Sequence, residues 1–525
     1  MPSVSHVSSL LDYENPVSLS PTQVETIAII GGGASAAIIL DCLLKEPDSK
    51  IKLITIFERQ PKLGGIWYYN PETIQTPNDI IKSGNSDLEN DPQLENPFHI
   101  HKYTRKILLP KSKQERFVQT PSYHGMTTNI IEQLMTYSDV NQWSTDDTEK
   151  RQQQQQQDNK YVVGTEKQQQ QQQDNKYVVG TVVQKYIEKY IHRNLDNPKF
   201  VLRLNSTVED VERIDRHDSA DIPYRFTLTI RTFHDEKQDL WYQQDFDSIV
   251  VASGHYHVPF IPHVPGLKQV QKKYPQVVQH AKFYRDSQFY ENKTVIVVGS
   301  RASGSDLTKF VAREPNTKVY QSIRNFEKTK VRSNRVNAIT KPPIKDVQVS
   351  DSDGIIVTFE DGTTIENPNH IIYCTGYSFS YPFLNRFFNN AITNKGVTVN
   401  NLYQHTFLVS EPLITIIGVP IDGISFRVFE YQAILLSRYL TGKVQLPSRS
   451  QQLEWVQERF EAKQNTRSFH TIGAEDALNY VHTLTNLGNV SKKCNLGREF
   501  PTLTADDVLM YKQAGEKLKK FWDER

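Results

Sequence analysis

Four short apolar runs punctuate the chain at 27–30, 249–252, 295–298 and 371–374, and each ends in a small residue or runs into a glycine. Runs of this length without a polar face predict strands buried inside parallel sheets. Two of them open βαβ units. The first is followed by Gly31-Gly32-Gly33 with Ala36 beyond, a helix-compatible stretch over 34–44, and a strand over 51–57 that ends at Glu58. The second is followed by Gly299, Ser303 and Gly304, a helix-compatible stretch, and a strand over 317–322. The remaining two runs close these units, one at Ser253-Gly254-His255 and the other at Thr375-Gly376-Tyr377. The pattern predicts an α/β chain with two Rossmann-like dinucleotide-binding domains, the second inserted in the first. The first domain is expected over 26–285 and again over 406–447, and the second over 290–405.

Alternating polar and apolar positions predict a β region from 199–204, 207–214, 225–232 and 241–246, and a smaller excursion from 346–350 and 354–359. Residues 413–418 read as the last core strand and 425–440 as a long helix. Apolar spacing predicts an amphipathic helix over 182–194 and a further helix from Ile130 through IIEQLMTYSD. The stretch 453–525, within an extension expected from 448, is helix-compatible and charged and lacks a hydrophobic anchor. Residues 1–25 are expected to form a polar arm. QQQQQQDNKYVVGT occurs at 152–165 and again at 168–181. With so few apolar side chains, this glutamine-rich region (145–181) is expected to be a disordered loop enlarged by duplication.

Composition narrows the classes. The chain has 525 residues with 61 Lys and Arg against 60 Asp and Glu, which argues against a nucleic-acid partner. Three cysteines, Cys42, Cys374 and Cys494, form no C-x-x-C, so a disulfide scaffold, a zinc site and a redox dithiol all lack support. Residues 1–23 lack the order of a signal peptide, and the glycines, Ser35 and Asp41 argue against a membrane span over 26–44. A cytoplasmic protein is expected, with peripheral attachment to the cytosolic face of the endoplasmic reticulum left open.

The candidate chemistry is nucleotide binding. Gly31 to Gly33 allow a pyrophosphate to approach the backbone at a helix N-terminus, and Glu58 is placed to accept a hydrogen bond from a ribose hydroxyl. In the second unit Arg301 stands where the second glycine would be. Arg324 follows Gly299 by 25 residues, much as Glu58 follows Gly31 by 27. An arginine there can pair with a 2′-phosphate; the alternative is a solvated charge at a strand end.

Taken together, Gly31-x-Gly33-x-x-Ala36, Glu58, Gly64-Gly65-x-Trp67, Thr128-Asn129, Ser253-Gly254-His255 and Thr375-Gly376-Tyr377 resemble the flavin-containing monooxygenases. That family's identifying sequence, F-x-G-x-x-x-H-x-x-x-[FY], is matched in part at 274–284, with His280 and Tyr284 kept and Tyr274 and Gln276 replacing the Phe and Gly. The likeness runs from about 26 to 447, and the helical extension is similar to a fungal branch of thiol-oxidising enzymes. The resemblance implies that NADPH reduces FAD and that reduced flavin uses O2, through a C4a-hydroperoxide, to oxygenate a small soft nucleophile such as a thiol or amine. It implies FAD contacts from Gly31, Gly32, Gly33, Ala34, Ser35, Glu58, Gly65, Ile66, Trp67, Thr128, Val208, Ser253 and Gly254. NADPH contacts would come from Gly299, Ser300, Ser303, Gly304, Ser305, Asp306 and Arg324. Asn129 would sit at the flavin's reacting edge as the catalytic residue; the other reading of Asn129 is a helix N-cap. No metal is expected, and a homodimer is compatible with the pattern. Rival readings are a disulfide reductase, a redox-silent flavoprotein, and an N-hydroxylating or Baeyer–Villiger enzyme.

Overall fold

The apolar run at 27–30 lies in the middle of a parallel sheet. Strands β1 (Thr26–Ile30), β2 (Leu53–Phe57), β3 (Phe200–Arg203) and β4 (Ser248–Val251) lie in the order β4-β1-β2-β3, all parallel. Ile27, Ala28 and Ile29 are fully buried, as a strand covered on both faces must be. After β4 the chain leaves to build a second sheet. Strands β5 (Val278–His280), β6 (Thr294–Val298), β7 (Lys318–Ser322), β8 (Ala338–Lys341) and β9 (His370–Tyr373) lie parallel in the order β5-β9-β6-β7-β8. The chain then returns through β10 (Leu402–Tyr403), β11 (Phe407–Leu408) and β12 (Ile414–Ile416), and β12 pairs in parallel with β4. The computed structural model describes residues 24–72, 94–114, 117–143, 177–215, 222–326, 338–350, 353–490 and 494–523. The arm at 1–23 and residues 145–176 of the glutamine-rich region lie outside them, whereas 177–181, expected in that disordered loop, are described and Gly180 and Thr181 open a helix.

Register fixes what the two sheets present. Ile30 pairs with both Phe57 and Val251, and Ile416 with Val251, so Gly31, Glu58 and Ala252 emerge together at one edge. In the second sheet Val298 pairs with Ser322 and Tyr373, which brings out Gly299, Ile323 and Cys374 together. Helix α1 (Ala34–Lys45) follows β1, α2 (Gly180–His192) precedes β3, and α3 (Ala302–Ala312) follows β6. Helix α4 (Ser425–Leu440), almost wholly buried, packs on α1. The extension supplies α5 (Arg449–Lys463), α6 (Gly473–Leu487) and α7 (Ala505–Asp523). Among the described residues no helix is long and apolar enough to cross a membrane.

Four further expectations need correction. The segment 199–204 is not part of the antiparallel region; it is β3, the edge of the first parallel sheet. The antiparallel sheet is made instead by 106–110, 206–215, 224–233 and 238–246. Residues 278–280, placed in the first domain, pair with β9 of the second, and 402–403, placed in the second, belong to the first sheet. No α-helix begins at Ile130: only a single 3-10 turn, Glu132–Leu134, forms there. The reason is competition for backbone amides. The Tyr137 N–H donates to the Tyr186 hydroxyl at 2.8 Å and the Ser138 N–H to Glu430 at 2.9 Å, rather than to carbonyls four residues back.

Candidate functional site

The site begins where β1 stops. Gly31 has φ +111°, and a Cβ there would stand 2.6 Å from the Ala252 carbonyl oxygen, so only glycine fits. The second domain repeats the arrangement: Gly299 has φ +122°, and a Cβ would lie 2.7 Å from the Cys374 carbonyl oxygen. In both domains the first glycine of the turn is pressed against the strand that closes the unit.

Around the first turn the predicted residues converge. Glu58 is buried; its Oε2 accepts from the Gly32 N–H at 2.6 Å and its Oε1 from the Gln60 N–H at 2.7 Å. Burial raises its pKa, with the two amides and Arg59 opposing. The Gly64 N–H donates to the Gly32 carbonyl at 3.0 Å, and a Cβ on Gly65 would come 3.0 Å from Gly33 Cα. The turn Gly65–Trp67, which includes Ile66, therefore lies directly on the glycine loop. Trp67 in turn approaches Gly180 at the start of α2, its Cε3 3.3 Å from a Cβ built there. Thr128 is buried and exchanges hydrogen bonds with Val178, its N–H donating at 2.8 Å and its hydroxyl accepting at 3.2 Å. Asn129, next along, is exposed and caps no helix, which removes the N-cap reading. Ala34 opens α1, and Ser35 is buried against Gly418. The Ser206 N–H donates to the Glu58 carbonyl at 2.9 Å, and Val208, buried, follows two residues later at a β-bulge. Ser253 is exposed, and a Cβ on Gly254 would meet nothing within 4 Å, leaving that backbone open to a ligand.

At the second turn Ser300 is exposed, Ser303 half-buried and Gly304 buried, and the Ser305 hydroxyl donates to the Ser300 carbonyl at 3.1 Å. Asp306 has a partner within the chain. Its carboxylate accepts from the Tyr123 hydroxyl at 2.7 Å; burial pushes its pKa up. It is a strut between the second domain and segment 117–143. Arg324 is exposed just beyond β7, and Arg301 reaches across to Asp422 of the first domain at 3.3 Å. Sequence reasoning missed Asp422, Gly418 and Arg467. Gly418 carried a signal, since it closes the apolar run 413–417, whereas Arg467 lay unmarked in a charged extension.

No disulfide joins the three cysteines, Cys42 lying in α1 and Cys374 at the end of β9, so the disulfide reductase reading lacks its dithiol. Residues 338–504 match the family described as flavin-binding monooxygenase-like, 242–409 the pyridine nucleotide-disulphide oxidoreductases, and 28–256 an FAD-NAD(P)-binding family. The likeness thus reaches beyond 447 into the extension. The flavin-containing monooxygenase ustF2 of Aspergillus flavus is 26% identical over 513 residues, covering 90% of this chain and 93% of that protein. The flavin-containing monooxygenase FMO GS-OX3 of Arabidopsis thaliana is 26% identical, covering 87% and 83%. Among solved structures, S-allyl-L-cysteine S-oxygenase from Allium sativum shares the fold with a TM-score of 0.66 at 22% identity, covering 95% of this chain and 94% of that one. Two Rossmann-like domains of the FAD- and NAD(P)-binding kind, the glycine turns that open them and relatives spanning nearly the whole chain lead to one conclusion: this is a flavin-dependent oxidoreductase, similar over nearly its whole length to the flavin-containing monooxygenases.

Proposed function

We propose that the protein is an FAD- and NADPH-dependent monooxygenase that transfers one oxygen atom of O2 to a small soft nucleophile, sulfur first. The observation that carries this reading is the duplicated turn, each first glycine packed on its closing strand and each opening toward a strand-end nucleotide selector. The residues suit the two groups. Gly31 to Ser35 offer the pyrophosphate of FAD a helix N-terminus, Glu58 keeps lone pairs for a ribose, and the backbone at Gly254 is open. Ser300, Ser303 and Arg324 offer hydroxyls and a cation to NADPH. Gly65 to Trp67 and Thr128 would line the flavin, with Asn129 free to donate its amide at the reacting edge. When bound, FAD and NADPH supply hydride transfer and oxygen activation, and the chain binds, orients and shields them.

Sulfur is favoured by the side chains assigned to the flavin edge. Trp67, Thr128 and Asn129 carry no ionising group, so none of these three can act as a base in attack on a ketone. A substrate that brings its own polarisable lone pair needs none. The test is to purify the protein, identify the chromophore released by heat, and follow NADPH-dependent O2 consumption with small thiols, thioethers, amines and ketones. Bound FAD with turnover driven best by sulfur compounds is expected. Absence of flavin, or turnover with ketones alone, would refute the reading.

A further inference from the structure

The sequence offers one arginine, Arg324, to the second nucleotide site, but the fold brings three guanidinium groups to it. Arg324 lies two residues beyond β7 and Arg301 three beyond β6, and Val298 of β6 pairs with Ser322 of β7 and with Tyr373 of β9. The third is Arg467, from the short 3-10 turn Arg467–His470 of the extension. It donates through Nη1 to the Thr375 carbonyl at 2.9 Å and through Nη2 to the Tyr377 carbonyl, just past the end of β9. Its guanidinium lies 4.7 Å from the Phe260 ring centroid, and its Nη1 is 2.7 Å from where a Cβ on Gly376 would be, so this turn is shaped around it. The segment is tied to the loop carrying Asp422: the Ile421 N–H donates to the His470 carbonyl at 2.9 Å and the Ile472 N–H to the Ile421 carbonyl at 3.0 Å.

The charges at this edge do not balance. Arg301 meets Asp422 at 3.3 Å, and no carboxylate pairs with Arg324 or Arg467 among the described residues. Strand register sets the ends of β6, β7 and β9 side by side, so the segments that carry Arg301, Arg324 and the carbonyls held by Arg467 leave the sheet at one level; burial lowers the Arg467 pKa, and the Arg301 and Arg324 charges lower it further. Two hydrogen-bonded carbonyls account for part of one planar donor fork and leave other N–H groups of Arg467 available. An excess of two positive charges matches a doubly charged phosphate monoester better than a singly charged phosphodiester.

We propose that Arg467 is a specificity-determining residue for the 2′-phosphate of NADPH, completing with Arg324 and Arg301 a cation site supplied in part by the C-terminal extension. This rests on the reading of the second fold as the NADPH domain. Asp422 acts against it, as the carboxylate that holds Arg301 until the phosphate competes.

The test is calorimetric binding of 2′,5′-ADP and 5′-AMP to the FAD-loaded protein, with NADPH and NADH reduction kinetics beside it. The parent should prefer 2′,5′-ADP; equal binding would sink the NADPH reading itself. Arg467→Gln should weaken 2′,5′-ADP about ten- to hundredfold and leave 5′-AMP within about twofold. Arg467→Lys, which keeps the charge, should retain most of the discrimination. Asp422→Asn should tighten 2′,5′-ADP roughly two- to fivefold, a gain that no folding defect produces. A parent that discriminates while Arg467→Gln discriminates equally well would overturn this inference alone. So would equal weakening of both nucleotides, the result of Arg467 acting only as a strut for the 375–377 turn. If Arg467→Gln does not fold, the Lys and Asn variants decide: lost discrimination in the first or unchanged affinity in the second overturns it.

Discussion

Arg498 joins the extension to the first nucleotide domain, and replacing it tests whether the extension is integral. It is 7% exposed. Its Nη1 donates to Asp41 of α1 at 2.7 Å, its Nη2 to Asp139 at 2.7 Å and to Glu430 of α4 at 2.5 Å. Next to it, a Cβ on Gly497 would stand 2.5 Å from the Lys45 carbonyl oxygen at the end of α1, so the segment is seated tightly on that helix. Removing one partner of a buried ion pair costs about 3–5 kcal/mol. Asp41 would keep Arg193 at 2.6 Å and Lys45 at 3.0 Å, and Glu430 would keep the Ser138 N–H at 2.9 Å, so the lower end applies. Arg498→Met should therefore lose about 3 kcal/mol in urea unfolding followed by far-UV circular dichroism, and FAD should be held less tightly because α1 begins at the glycine turn. Burial pushes the Asp139 pKa up, but the Arg498 hydrogen bond and charge, with Arg193, outweigh it and hold the group well below the usual carboxylate range. Its contribution is present above the unfolded value near pH 4 and is lost as the pH falls below that. The difference between parent and variant should accordingly shrink below about pH 4. A loss under about 1 kcal/mol at pH 7, or one unchanged in acid, would refute the argument.

Arg324→Ala should weaken NADPH about ten- to hundredfold and hardly move NADH, read from the concentration dependence of flavin reduction; equal losses would exclude a 2′-phosphate contact. Gly31→Ala forces a side chain against the Ala252 carbonyl at positive φ and should lower FAD affinity at least about tenfold in a flavin-fluorescence titration of the deflavinated protein, and unchanged affinity would contradict the packing. Asn129→Asp should leave stability within about 0.5 kcal/mol, since the side chain is exposed and caps nothing, while hydrogen peroxide released per NADPH consumed rises; an unchanged ratio would end the catalytic assignment. Burial raises the Glu411 pKa to about 7 against the opposing Tyr224 hydrogen bond, so the folded state holds this proton more tightly and stability falls as pH rises from about 4.5 to 7. Glu411→Gln should be about 1–3 kcal/mol more stable than the parent at pH 8 and similar at pH 5, with equal melting points at both pH values as the refuting result.

What could be read from the sequence was whatever neighbours in the chain decide. Apolar runs marked β1, β4, β6 and β9 because burial on both faces leaves no polar positions, and Glu58 was legible because strand and turn lengths fix its distance from Gly31. Arg467 and Arg498 were not legible. Their partners lie from about seventy to several hundred residues away, and an arginine in a charged helical stretch looks like a solvated one until its carboxylates and carbonyls are found. The stretch after Asn129 misled for a related reason. Its spacing suits a helix, but hydrogen-bond partners on α2 and α4 claim its amides, and no local pattern records them.

The departure at Arg301 also takes on a different meaning in the fold. In the first domain a Cβ on Gly33 would already touch Gly65 Cα at 3.5 Å, and the Gly64–Trp67 turn covers the loop, so a long side chain has nowhere to go. In the second domain Arg301 is 82% exposed at the start of α3 and its side chain extends outward to Asp422. A glycine is required only where backbone lies on backbone, and at Gly299 and Gly304, where it does, the glycines are kept. The substitution therefore fits an open turn that keeps its packing, and it places a cation at the helix N-terminus where a dinucleotide's phosphates would arrive. The altered fingerprint thus leaves the close packing of the turn intact.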